Sequence, residues 1–261
     1  MIVTILFGFA VAATAVHVDI FNGEGVPPSM FPEYIALLVD DPRKQIWRCI
    51  GSLIAPSFVL TAAHCVDDIA WVYLGTNDAS GNGAKQQFKV TGRFVHPKYN
   101  TAFPTYDVGL LKLSDAAKLT PATVHWDEDQ YNAPGSTAWI RGYGRISTDG
   151  PRAETLLQAQ VPILPIEICS KALHGVDPVS MICAGGSKND TCVGDSGGPL
   201  TVVKDGKEVL VGVTSWGDTI CGRSIPSLYA RLSVAKAFVA SILSPPPPPP
   251  PRECIERPKL K

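Results

Sequence analysis

Neither sign of charge dominates this chain: Lys and Arg number 23 against 24 Asp and Glu, a formal net charge of −1. That balance offers no basic patch for nucleic acid or for an anionic membrane surface. Charged residues make up only 18%, against 45% hydrophobic, which suits a globular chain with a core to bury. No short-period repeat is present, which argues against solenoid architectures. The seven cysteines, Cys49, Cys65, Cys169, Cys183, Cys192, Cys221 and Cys254, are widely spaced. No two lie within a few residues of each other, so the paired-ligand spacing of a structural zinc site is missing. The apolar run Met1–Ala15, with no Lys or Arg before it, is short for a membrane-spanning helix.

Turn-forming residues, in contrast, are plentiful, with Gly and Pro at 23 each. They separate short apolar runs such as Ile35–Val39, Ile50–Ile54, Phe58–Leu60, Val108–Leu113, Val209–Ser215 and Leu228–Ala230. Short runs between turn signals predict an antiparallel all-β sandwich or barrel pair. One segment departs from this pattern: in Ser233–Leu243, Val234, Phe238 and Ile242 recur every four residues. That spacing predicts an amphipathic helix lying on the barrels, with Ser233 as its N-cap.

The ends read differently again. Residues 1–15 close on Ala13-Thr14-Ala15, the small-x-small pattern of a secretory signal peptide; a short membrane anchor or a buried strand is the alternative. Secretion permits disulfides, and seven cysteines leave one without a partner inside the chain. Pro245–Pro251 is an unbroken proline run that predicts a stiff polyproline II spacer, followed by a basic tail, RECIERPKLK. Residues 244–261 are therefore expected to form a linker and tail outside the domain.

The chemistry gathers around TCVGDSGGPL, Thr191–Leu200. A nucleophilic serine needs its oxygen exposed on a tight turn, with backbone N–H groups aimed at the carbonyl oxygen under attack. Glycine permits both the unusual dihedrals and the close approach. A glycine-rich turn could also be only a turn, and a lone histidine or aspartate usually serves packing or capping. Here, though, TAAHC places His64 at the end of one apolar segment, and DVGLLKL places Asp107 at the start of another.

In that order, TAAHC, DVGLLKL, GDSGGPL and SWG (Ser215-Trp216-Gly217), the motifs resemble those of the chymotrypsin/trypsin-like secreted serine proteases, and the resemblance runs from Ile20 to Leu243. It implies two six-stranded antiparallel β-barrels with the active site between them and a C-terminal helix. It implies that Ser196 attacks the scissile carbonyl, that His64 shuttles the proton and that Asp107 orients His64, the arrangement for which this family is itself the general template. The oxyanion hole would be the N–H groups of Gly194 and Ser196. The implied bridges are Cys49–Cys65, Cys169–Cys183 and Cys192–Cys221, with a further family bridge absent at Ala138 and Val202. Cys254 is then left for an intermolecular disulfide or a free thiol.

The same resemblance implies a precursor. Ile20-Phe21-Asn22-Gly23 matches the new N-terminus of the activated family members, whose ammonium pairs with the Asp before the serine, here Asp195. Residues 16–19 would be a short propeptide ending in Asp19 instead of Lys or Arg. Asp190, six residues before Ser196, would select Arg or Lys at the base of the substrate pocket, with Ser215 and Gly217 along the pocket wall. Ser227 stands where trypsins carry glycine, and it raises the alternative of an altered preference. No metal or cofactor is expected: the Gly75–Phe88 loop lacks the glutamates of the trypsin calcium loop. The expected partners are protein or peptide substrates and protein protease inhibitors. A non-catalytic homologue acting as a binding protein is the competing class.

Overall fold

The structure is a computed structural model in which residues 20, 23–41, 43, 46–186 and 189–244 are described. The leader at 1–15, the segment 16–19, the proline run and Cys254 lie outside the described residues.

The strands follow in chain order: β1 (Glu24–Gly25), β2 (Ile35–Asp41), β3 (Ile46–Ala55), β4 (Phe58–Thr61), β5 (Trp71–Leu74), β6 (Gln86–Val95) and β7 (Gly109–Leu113). Strands β2-β3-β4-β7-β6-β5 close into an antiparallel barrel. The second half contributes β8 (Thr137–Gly142), β9 (Leu157–Leu164), β10 (Met181–Ala184), β11 (Pro199–Lys204), β12 (Lys207–Trp216) and β13 (Ser227–Arg231). Their order is β9-β10-β13-β12-β11-β8; the pairing of β8 with β9 closes the ring, and β1 adds to its β9 edge. The two barrels predicted from the motifs are present.

Burial explains why these segments pair as they do. Every residue of Val209–Ser215 is buried, as expected of a strand covered on both faces, whereas β6 alternates and exposes Lys89 and Arg93. One core gathers Leu53, Leu60, Val72 and Leu110 of the first barrel. Another gathers Ile140, Val161, Leu200 and Tyr229 of the second.

Between β9 and β10 runs a short helix, α1 (Ile166–Ala172), and α2 (Lys236–Leu243) follows β13. The helix predicted over Ser233–Leu243 thus begins with a 3-10 turn, Ser233–Ala235, before becoming α-helical. Val239 is buried, and Phe238, Ile242 and Leu243 pack on the first barrel's core. The predicted cap is corrected: Ser233 makes no capping bond, and its hydroxyl donates to Glu128 instead. Ser233 is the first residue inside the 3-10 turn and Leu232 holds the capping position, so the serine oxygen does not reach the turn's leading amides.

Three disulfides join Cys49 to Cys65, Cys169 to Cys183 and Cys192 to Cys221. They tie the His64 turn to β3, α1 to β10, and the Ser196 loop to the segment after Trp216. Each closes a loop whose unfolded freedom is worth about 2–4 kcal/mol.

Candidate active site

Strand register assembles the first two groups. Strands β4 and β7 pair antiparallel with Thr61 opposite Gly109. His64, three residues past Thr61, and Asp107, two before Gly109, therefore emerge at the same end of the pair. His64 sits in a single 3-10 turn, Ala63–Cys65, held to β3 by the Cys49–Cys65 bridge. Asp107 is fully buried.

The Asp107 carboxylate is saturated with donors. Oδ1 accepts the backbone N–H of His64 at 3.0 Å. Oδ2 accepts His64 Nδ1–H at 2.8 Å and the Ser215 hydroxyl. A carboxylate can only accept, so the Nδ1 proton is fixed and the lone pair of His64 is left on Nε2. The imidazole is one-third exposed. Cys49 and Cys65 lie beside His64, but both sulfurs are spent in the disulfide and are not available as metal ligands.

The serine comes from the other barrel. Asp195 N–H donates to Cys192 O and Gly198 N–H to Asp195 O, which folds the segment into two consecutive tight turns around Ser196. Gly194 and Gly197 have φ of +105° and +81°, which side chains rarely tolerate. At Gly197 space forbids them as well: a Cβ would fall 2.1 Å from Ile50 O and 2.2 Å from Thr61 Oγ1. The Ser196 carbonyl accepts Ile50 N–H from β3 at 2.9 Å. The nucleophile turn is therefore seated directly on the first barrel.

Behind it, Asp195 is completely buried. Its Oδ1 accepts Gly144 N–H at 2.8 Å and its Oδ2 accepts Cys192 N–H at 2.9 Å. Burial pushes its pKa up to about 6, despite those two amide bonds. Among the described residues it forms no ion pair. Ile20, its expected partner, is fully buried in the second barrel's core with φ +57°. Its nitrogen is a peptide amide in the uncleaved chain, not an ammonium.

A cavity of about 210 Å³ opens beside Ser196, between Gly194, Ser215, Trp216 and Gly217, and it ends at Thr191 and Ser227. Asp190 is not on its wall. Its carboxylate is buried, with Oδ2 accepting Gly186 N–H at 3.0 Å and Oδ1 accepting Thr191 N–H at 2.7 Å. Burial raises its pKa to about 6, against the lowering effect of the Ser227 hydroxyl and of the Thr191 and Gly186 amides. Thr191 Oγ1 donates to Ser227 Oγ at 3.0 Å, so two hydroxyls separate the carboxylate from the cavity. A Cβ at Gly217 would come within 2.9 Å of Ser227 Oγ, so a side chain there would push that hydroxyl aside.

The family model of Trypsin matches residues 20–239. The chain belongs to the trypsin family. A trypsin from Saccharopolyspora erythraea is 36% identical over 82% of this chain and 93% of its own length. Human serine protease 56 is 34% identical over 88% of this chain, and the mouse protein of that name 32% identical over 93%. The chain spans only 40% and 42% of those two relatives. Among solved structures, neuropsin, described as a serine protease expressed in the limbic system of mouse brain, superposes with a TM-score of 0.74 at 30% identity. That match covers 85% of this chain and 98% of neuropsin.

In this trypsin-family chain the structure also reveals positioning groups that sequence reading passed over. Tyr106, next to Asp107, has φ +51°, an uncommon conformation for an aromatic residue. Its ring stacks on His96 at 4.9 Å, and His96 in turn meets Phe238 of α2 edge-on at 5.0 Å. This stack holds the strained backbone that turns Asp107 inward. The sequence offers a signal only in hindsight, as an aromatic before the aspartate and a histidine ten residues earlier. Asn189, next to Asp190, is tied back to β9, where its Nδ2 donates to Gln160 O at 3.1 Å.

Proposed function

We propose that this chain is a secreted serine endopeptidase that cleaves protein substrates through an acyl-enzyme formed on Ser196. The observation that carries the reading is the Asp107 carboxylate. It spends its acceptor capacity on His64 and Ser215, and so leaves His64 Nε2 as the base. In this reading Nε2 takes the Ser196 proton as Oγ attacks the carbonyl carbon, and returns it to the leaving amine. Gly194 and Ser196 N–H groups stabilise the oxyanion, an effect typically worth about 10²–10³ in rate per donor. Water then repeats the sequence on the acyl-enzyme.

Activation follows from Asp195. Asp195, its pKa raised by burial to about 6, feels the charge of Arg152 but closes no ion pair among the described residues, and cleavage between Asp19 and Ile20 would supply the Ile20 ammonium. Asp19 is not the residue trypsin cuts after, so a protease tolerant of Asp, or a dipeptidyl aminopeptidase acting on residues 16–19, is the expected activator.

For the residue before the scissile bond we favour Arg or Lys. Asp190 provides the only carboxylate bonded to the cavity's end wall among the described residues, and a substrate cation would relieve its burial. Ser227 supports a second reading, a weakened or altered preference, because its hydroxyl and that of Thr191 stand between the carboxylate and the substrate. The deciding experiment is a fluorogenic panel varying only that residue (Arg, Lys, Phe, Leu, Ala, Asp), on protein beginning at Ile20, beside Ser196→Ala. Arg and Lys turnover abolished in the variant supports the whole reading. Turnover confined to other residues keeps the mechanism and overturns the specificity. No turnover at all favours a binding homologue.

A further inference from the structure

The cleft has a second charged feature that the catalytic reading does not use. Arg145 and Arg152 face each other across an isolated antiparallel bridge. Opposed residues in such a bridge present their side chains on one face, and like charges so placed repel. Among the described residues neither arginine closes an ion pair, although Asp149 and Glu154 belong to the same segment. Arg145 Nη1 donates to Thr148 O at 3.3 Å. The Arg152 guanidinium lies over the Trp47 ring, 4.4 Å from its centroid, and Nη1 donates to Trp47 O at 2.9 Å. Partial burial and then the nearby charge of Arg145 lower the pKa of Arg152, while the buried Asp195 carboxylate acts the other way. The two cations thus crowd each other, and neither closes an ion pair with Asp195 or any other carboxylate among the described residues.

Their position is set by the oxyanion turn. Arg145 N–H donates to Val193 O at 2.8 Å. A Cβ on Gly194 would stand 3.5 Å from the Trp47 ring and 3.6 Å from Arg152 Nε. The substrate cavity lies on the Trp216 and Gly217 side of Ser196. Trp47 belongs to β3, whose Ile50 N–H bonds to the Ser196 carbonyl, and neither Trp47 nor either arginine lines that cavity. With the residue before the scissile bond in the cavity, this flank is left for the part of the substrate that would depart with the amine.

We propose that Arg145 and Arg152 form a subsite for a carboxylate carried by the first or second residue beyond the scissile bond, so that peptides with Asp or Glu there are preferred. The inference rests on the endopeptidase reading and names the substrate class of that site. Planar guanidinium forks suit a carboxylate, and a stacked, partly immobilised Arg152 loses little freedom in binding one. The same chemistry could come from the free C-terminal carboxylate of a short peptide, so the test separates the two sources.

The test uses quenched fluorescent peptides identical up to the cleaved bond, with Glu, Gln or Lys at the first or second position beyond it. One set is amidated at a distant C-terminus; a second set ends in a free carboxylate two residues past the bond. The expected result for amidated peptides is kcat/KM about fivefold higher for Glu than for Gln, as for an exposed ion pair near its upper range. The ratio should fall toward one at high salt and in the double variant Arg145→Gln/Arg152→Gln. A Glu/Gln ratio near one in the unaltered enzyme, or one that persists in the double variant, overturns the proposal while cleavage itself upholds the endopeptidase. A preference seen only with free C-termini assigns the arginines to the terminal carboxylate and overturns the side-chain proposal. Fluorescence anisotropy of labelled peptides on Ser196→Ala reads the same Glu/Gln ratio without turnover. If nothing is cleaved, that ratio still decides the subsite, and the endopeptidase reading fails separately.

Discussion

Ser227 is the residue on which the proposed substrate choice turns. Its hydroxyl bonds to Thr191, both end the cavity, and Asp190 lies behind them. Replacing Ser227 with Gly removes a side chain from a narrow floor and exposes the carboxylate. Turnover of Arg substrates by Ser227→Gly is expected to rise about fivefold to tenfold, the scale of one restored charge-assisted contact; unchanged kcat/KM would show that the hydroxyl does not obstruct. Asp190 carries a second prediction at this scale. Its pKa in the free pocket is raised from 3.8 to about 6, so the carboxyl is ionised above pH 6 and neutral below. The ratio of kcat/KM for an Arg substrate to that for a Leu substrate should therefore decline as pH falls from 7 to 5. Taking the ratio cancels the titration of the catalytic base that both substrates share. A ratio flat across that range would place the selective charge elsewhere.

At the scale of elements, β8 and β11 lack the bridge that the family commonly has there. Ala138 lies directly opposite Val202, and both are buried. Nearby, the Arg141 guanidinium donates to Glu208, to Gln158 at 3.2 Å and to Thr201 at 3.4 Å, while Tyr34 donates to Glu208 at 3.1 Å. This network links β8, β9, β11 and β12 and reaches Tyr34 ahead of β2, so polar contacts join the strands that a disulfide would otherwise tie. The double variant Ala138→Cys/Val202→Cys should oxidise spontaneously and stabilise the chain by about 2–4 kcal/mol, read as a raised urea midpoint lost on reduction. A bridge that forms without raising the midpoint would show that the network already restrains this edge.

The same elements show what a linear reading can and cannot reach. Strands such as Val209–Ser215 were legible because burial on both faces writes an uninterrupted apolar run. The candidate residues His64, Asp107 and Ser196 were legible because their motifs are local, each sitting in its own signature. The stack of Tyr106, His96 and Phe238 was not, since it joins a loop, a strand end and a helix that no short window spans. Nor was the true role of Ser233, because its partner Glu128 is 105 residues away. The cover over Asp190 was visible only as a departure at Ser227; that Thr191 completes it depends on a side-chain contact between distant segments.

On the scale of the whole molecule, the proposed base comes from one barrel and the proposed nucleophile from the other, and hydrophobic clusters bridge the two: Leu210, Val213 and Ala230 pack with Leu53 and Leu60, and Tyr143 and Leu156 with Ile35 and Trp47. A small slippage at this seam should silence the chemistry before the strands themselves melt. In a urea series, turnover is expected to be lost at a lower midpoint than far-ultraviolet circular dichroism; coincident midpoints would mean that the barrels part only on unfolding. The seat of Gly197 against Ile50 and Thr61 has one more consequence. His64 and Ser196 sit on two tethered partners whose local concentration is set by their tethers: the chain from β1 on the second barrel to β2 of the first, the segment 114–136 between β7 and β8, and the docking of α2 back onto the first barrel. Cut all three, and hydrolysis by this protein would become a second-order property, fading on dilution as a complex does.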